Sequence, residues 1–168
     1  MLDSVFPSCS LAGALLADGP APDRAERLGL YGQFVGRWSM SARIHREDGS
    51  LFTGEGTIAF GWVLEGRAVQ DVWVLPGMFH GTTLRVYDPG LDAWHILWSD
   101  PLRQVYMRQL GRAAGKDIVQ EGNADEGTPT RWTFADIMPH SFTWRGERAR
   151  ADRAWWLQAE FRARRVAG

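Results

Sequence analysis

The chain has 168 residues, with 19 lysines and arginines against 20 aspartates and glutamates, for a net charge of −1. That length holds one domain with a sizeable core, and the near-neutral balance argues against a nucleic-acid binder or a polybasic membrane-surface protein. Hydrophobic residues at 45% and charged residues at 23% exclude intrinsic disorder, and the single cysteine, Cys9, excludes an internal disulfide framework and a cysteine-based zinc site.

Near the start lies a short apolar run, Leu11-Ala12-Gly13-Ala14-Leu15-Leu16-Ala17. It is too short to span a bilayer, and Asp3 stands where a secretory signal carries Lys or Arg. The expectation is a lead-in segment, residues 1–22, packed on a single domain of residues 23–168. The lone unpaired cysteine fits a reducing, cytoplasmic setting. Asp18-Gly19-Pro20-Ala21-Pro22 breaks the chain. Asp23 and Glu26 then have capping-box spacing, and Leu28, Tyr31 and Phe34 recur at helical spacing, which predicts a short helix over 23–31.

From Phe34 onward the hydrophobic period changes from helical to alternating. Turn signals follow at near-regular intervals: Glu47-Asp48-Gly49-Ser50, Leu64-Glu65-Gly66, Pro76-Gly77, Asp88-Pro89-Gly90, Asp100-Pro101, the 111–115 and 123–129 stretches, Met138-Pro139 and the 149–152 tip. Between them lie about ten strand candidates. Trp94, Ile96 and Trp98 alternate with His95, Leu97 and Ser99, and Trp155, Leu157, Ala159, Phe161 and Ala163 alternate with Trp156, Gln158, Glu160, Arg162 and Arg164. The connections are short, so neighbours are antiparallel, and a meander of this length hides its edges best by curling up. The fold class is therefore all-β: an antiparallel up-and-down barrel of about ten strands with a short N-terminal helix at one mouth. Nine tryptophans and eight phenylalanines, beside 19 glycines, predict an aromatic interior.

Gly36-Arg37-Trp38 on the first long strand, with an arginine on the last, resembles the lipocalin and wider calycin barrels. That resemblance implies that Trp38 closes the barrel base and that Arg162 or Arg164 packs across its ring as a cation–π pair. The run of residues 61–73, with Leu84-Arg85-Val86-Tyr87-Asp88-Pro89 and Arg131-Trp132-Thr133-Phe134, is similar to the uncharacterised bacterial lipocalin-like proteins of the DUF1579 type, over residues 28–165. What this implies is a fold, not a reaction. Nitrobindin, a haem-binding barrel, also opens with Gly-x-Trp, but here Ser39-Met40-Ser41 follows and the late strands lack histidine, so no haem is expected.

Catalytic signatures for metalloproteases, serine hydrolases, phosphate loops and dinucleotide folds are absent. His45, His80, His95 and His140 are scattered, so no metal site is expected. Indoles on most strands allow either a filled barrel or an aromatic-walled cavity. The candidate ligand-binding residues are Trp62, Trp73, Arg85, Tyr87, Trp98, Tyr106, Trp132 and Trp144. Arg85, if buried, needs a partner: Asp71 or Asp136 of the protein, or a ligand carboxylate clamped with Tyr87. Residues 76–81 are apolar for a loop and either gate a mouth or pack on the helix. Two functions stay open. One is binding of a small hydrophobic, aromatic or carboxylate-bearing molecule. The other is a cofactor-independent lyase, isomerase or cyclase with His80 or His95 as general acid or base. No nucleic-acid or membrane partner is expected, and a homodimer stays open.

Overall fold

The computed structural model describes residues 10–124 and 126–167, so Asp3 and Cys9 lie outside the described residues. A five-residue helix, α1 (Leu11–Leu15), capped by the Ser10 hydroxyl, leads into a two-residue strand, β1 (Leu16–Ala17). Sequence patterning missed both, because five residues carry too little periodicity to register. A 3-10 turn, Pro22–Arg24, then opens α2 (Ala25–Gly32). The expected capping box does not form. Asp23 is the second residue of the proline-led turn, and its carboxylate accepts from Arg67 at 3.1 Å instead.

Ten strands follow: β2 (Gly36–His45), β3 (Leu51–Val63), β4 (Ala68–Leu75), β5 (Phe79–Asp88), β6 (Ala93–Asp100), β7 (Val105–Ala114), β8 (Asp117–Asn123), β9 (Pro129–Met138), β10 (Ser141–Ala149) and β11 (Trp155–Arg165). Each pairs antiparallel with its sequence neighbours, and β11 returns to β2, so the meander closes into a ten-stranded barrel. The 13-residue β3 serves two neighbours in stagger: Leu51 to Phe60 face β2, and Thr57 to Val63 face β4. Beyond Phe60 its β2-side edge is free, and β1 fills it by pairing with Trp62 and Val63. The lead-in thus hides a short exposed edge.

The barrel has two unlike ends. At the base, α2 plugs the opening: Leu28 and Tyr31 are fully buried, and Ala21 N–H donates to Gly66 O at 3.0 Å. Aromatic side chains pack this half. Phe34 lies 4.8 Å from Phe134 and 5.0 Å from Phe142 between centroids, and Phe142 meets Trp38 edge-on at 4.8 Å. The opposite end, reached by the β4–β5, β6–β7 and β8–β9 turns, is open. Both interior readings therefore hold, at different heights of one barrel. Residues 76–81 sit at this open end, with Phe79 facing inward, not against the helix.

The Trp38 assignment needs one correction. The arginine over its ring is Arg165, at 4.2 Å, not Arg162 or Arg164. Along β11, Phe161 and Ala163 point inward and Arg162 and Arg164 outward, so the next inward position is Arg165, opposite Trp38 in register. Arg165 also donates to the carbonyls of Gln33 (2.8 Å), Val35 (2.7 Å) and Pro139 (3.0 Å). Among the described residues no helix is long and apolar enough to cross a membrane.

Candidate ligand-binding site

The open half holds a cavity of about 460 Å³, within the range of small-molecule sites. Six aromatic side chains line it, one from each of β4, β5, β6, β9, β10 and β11. They form one connected cluster: Trp73 meets Phe161 at 5.9 Å, Phe161 meets Phe79 at 5.8 Å, and Phe79 meets Trp98 at 6.2 Å. Trp98 then meets Trp132 at 6.3 Å, Trp132 meets Trp144 at 5.5 Å, and Trp144 returns to Trp73 at 5.8 Å. Trp144 and Phe161 stack nearly flat, 4.9 Å apart with a 9° interplanar angle. The cluster forms because each residue occupies an inward position of its strand.

The inner end is polar. Thr83, Arg85 and Thr130 line it. Arg85, 1% exposed, is ion-paired with Asp71, also 1% exposed, whose other oxygen accepts from Thr83 N–H at 2.9 Å. Of the partners offered by the sequence, the structure supplies Asp71; Asp136 instead stands 3.7 Å from Arg145. The Arg85 guanidinium also lies over the rings of Tyr31, Phe60 and Phe134 at 5.1–5.6 Å, so it rests on the aromatic base. Gln120 Oε1 accepts from the Tyr31 hydroxyl at 2.8 Å and from Arg85 Nε at 3.5 Å. Burial holds the Tyr31 hydroxyl well above its ordinary pKa, so it stays protonated as a donor.

The rim carries charge. Asp100 accepts from the backbone N–H groups of Leu102 and Arg103, fixing the β6–β7 turn. Arg148 pairs with Glu126, and Arg103 and the half-exposed Tyr106 complete the opening.

Six of the eight candidate ligand residues thus line one cavity: Trp73, Arg85, Trp98, Tyr106, Trp132 and Trp144. Two do not. Trp62 points inward below the cavity and lies against Gly32 of α2. Tyr87 faces the helix end, 5.7 Å from Trp94, where its hydroxyl donates to Asp92 at 2.7 Å, a bond that raises its pKa. Arg85 and Tyr87 share a face of β5, but two residues along a strand is far enough to separate cavity from base.

The histidines proposed for acid–base chemistry lie elsewhere. His80 is exposed, and His95 points outward on β6, bonding Asp88 at 3.0 Å and Arg108 at 3.5 Å. The His95 hydrogen bond holds the Asp88 carboxyl below its ordinary value of 3.8. Both histidines occupy outward positions of their strands: Gly81, Thr83 and Arg85 are inward on β5, and Trp94, Ile96 and Trp98 on β6. No histidine lines the cavity.

Sequence reading missed Phe79 as a wall residue, Thr83 and Thr130 in the polar floor, and the glutamines behind it. Parity carried the signal for two of these, since Thr130 is two residues from Trp132 and Thr83 two from Arg85. Glutamines on strands draw no attention until they are seen to be buried.

No family model matches the chain, the DUF1579 type included, and none of the curated proteins matches it. Among solved structures, Rv2717c from M. tuberculosis is similar with a TM-score of 0.59 at 12% identity, covering 88% of this chain and 99% of that one. The S-type phycobiliprotein lyase CPES from Guillardia theta is similar with a TM-score of 0.61 at 11% identity, covering 83% of this chain and 92% of the lyase. At such identity the likeness concerns architecture alone, and what it shows is that this chain has the fold of a lipocalin-like barrel.

Proposed function

We propose that the protein binds a small, flat, largely apolar molecule inside the barrel. The observation that carries this reading is a cavity of about 460 Å³ lined by four indoles and two phenyl rings. A barrel needing only stability fills its interior, as the base half of this one does. Aromatic faces offer a planar ligand offset and edge-on contacts as well as apolar burial, at about 25 cal/mol per Å². A similar barrel bearing the name of a phycobiliprotein lyase supports small-molecule handling by a fold of this kind. The catalytic alternative finds no histidine in the cavity to serve it, and binding is the reading the geometry supports best.

The test is tryptophan fluorescence, because the cavity lining and the reporter are the same residues. Titration with naphthalene and 2-naphthol is expected to quench emission saturably, and Trp132→Ala is expected to weaken binding about tenfold while the far-ultraviolet spectrum is kept. Unchanged emission across both compounds would refute the proposal.

A further inference from the structure

The polar floor of the cavity holds more hydrogen-bond donors than the protein uses. Thr83 and Arg85 both line the cavity, and each is 1% exposed. A guanidinium carries five N–H groups and no acceptor. Arg85 directs Nη1 to Asp71 and Nε, at 3.5 Å, to Gln120 Oε1. Its Nη2 has no hydrogen-bond partner among the described residues. Neither has the Thr83 hydroxyl, although the Thr83 backbone N–H donates to Asp71 at 2.9 Å.

These two groups differ from the enclosed amide ends of Gln109 and Gln120, which also lack partners but belong to residues that do not line the cavity. Thr130 does line it, but its proton is spent on Gly122 O at 3.2 Å, and it accepts from Gln109 at 3.1 Å. The unspent donors therefore lie on β5, two residues apart on its inward face. Asp71 stands opposite Thr83 in register and takes both the Thr83 N–H and Arg85 Nη1. It draws the guanidinium toward the Thr83 rung, and both of its oxygens are engaged.

Charge narrows the ligand group that fits. Arg85 is already neutralised by Asp71, so an anionic group here would be buried without a counter-charge of its own. An uncharged oxygen meets no such cost, and it satisfies donors that are expensive to leave dry. Resting on the binding reading above, we infer that the inner end of the ligand is an uncharged carbonyl: a ketone, aldehyde, quinone or lactam. Its oxygen accepts from Arg85 Nη2 and the Thr83 hydroxyl, and its flat body lies against the aromatic cluster.

Calorimetry on the intact chain tests this with 2-acetylnaphthalene and 2-isopropenylnaphthalene, which share a shape and differ by a carbonyl oxygen against a methylene. Naphthalene and 2-naphthoate complete the set. The ketone is expected to bind about tenfold tighter than the alkene and than naphthoate. Thr83→Val keeps the side-chain shape and the backbone bond to Asp71 but removes the hydroxyl, so it should cut that preference severalfold. Should Thr83→Val fail to fold, Thr83→Ala makes the same comparison. Equal binding of ketone and alkene overturns the inference and leaves the binding reading standing. So does a preference for naphthoate, or a ketone preference that survives loss of the hydroxyl. If no probe binds, naphthalene included, both fall together.

Discussion

Arg165 shows how much one residue of parity decides. Its guanidinium lies over the Trp38 indole and ties together the end of α2, the start of β2 and the β9–β10 turn through three carbonyls. Arg162 and Arg164, three and one residues before it, point to solvent. Arg165→Ala is expected to lower stability by about 2–3 kcal/mol, because charge-assisted bonds to carbonyls are lost from the junction. Arg162→Ala and Arg164→Ala should each stay within about 0.5 kcal/mol of wild type in the same urea unfolding series. A loss at Arg164 as large as at Arg165 would contradict the observed facing. An arginine at the barrel base was implied by the resemblance to calycin barrels, and the alternation of β11 was legible in the sequence. The strand's last inward position was not, since Ala163-Arg164-Arg165 offers two arginines in succession and only the register with β2 selects between them. The same ambiguity put Tyr87 and the histidines into a site from which strand facing and depth exclude them.

At the scale of elements, turn chemistry carried most of what could be read. Each strand boundary fell at a Gly, Pro, Asp or Asn cluster, and short connections between alternating runs leave a meander as the simplest topology. Helix α2 was legible through the spacing of Leu28 and Tyr31, with Gly29 and Gly32 keeping it short, but the reason position 32 holds glycine was not. A side chain there would collide with the ring of Trp62, which lies directly against the glycine backbone, whereas a side chain at Gly29 would meet nothing within 4 Å. Two glycines three apart in one helix thus have different reasons to exist. Gly29→Ala is expected to stabilise by up to about 1 kcal/mol through helix propensity. Gly32→Ala is expected to destabilise by about 1–3 kcal/mol through overpacking, and Trp62→Leu in the same chain should recover part of that loss by making room. Thermal unfolding of the four variants measures the set. Additive effects of Gly32→Ala and Trp62→Leu would contradict the contact.

For the whole molecule the decisive feature is the division of one barrel into a solid half and a hollow half, with the Asp71–Arg85 pair at the boundary. Below it the aromatic base and α2 supply stability; above it the aromatic cluster leaves space. The pair is costly to bury and costly to break: removing one partner strands a charge, worth about 3–5 kcal/mol in such settings. Asp71→Asn should therefore lower the unfolding midpoint markedly. It also changes what the cavity asks for, because Arg85 lines the floor and would then face the cavity without its counter-ion. A flat aromatic carboxylate such as 2-naphthoate could restore that counter-ion from the ligand side. Binding to the native state alone raises stability with ligand concentration, so the melting temperature of Asp71→Asn should climb on adding 2-naphthoate while that of the wild type barely moves. With naphthalene the two proteins should gain alike. If naphthoate stabilised wild type and variant equally, the buried pair would not be what keeps a carboxylate away from Arg85.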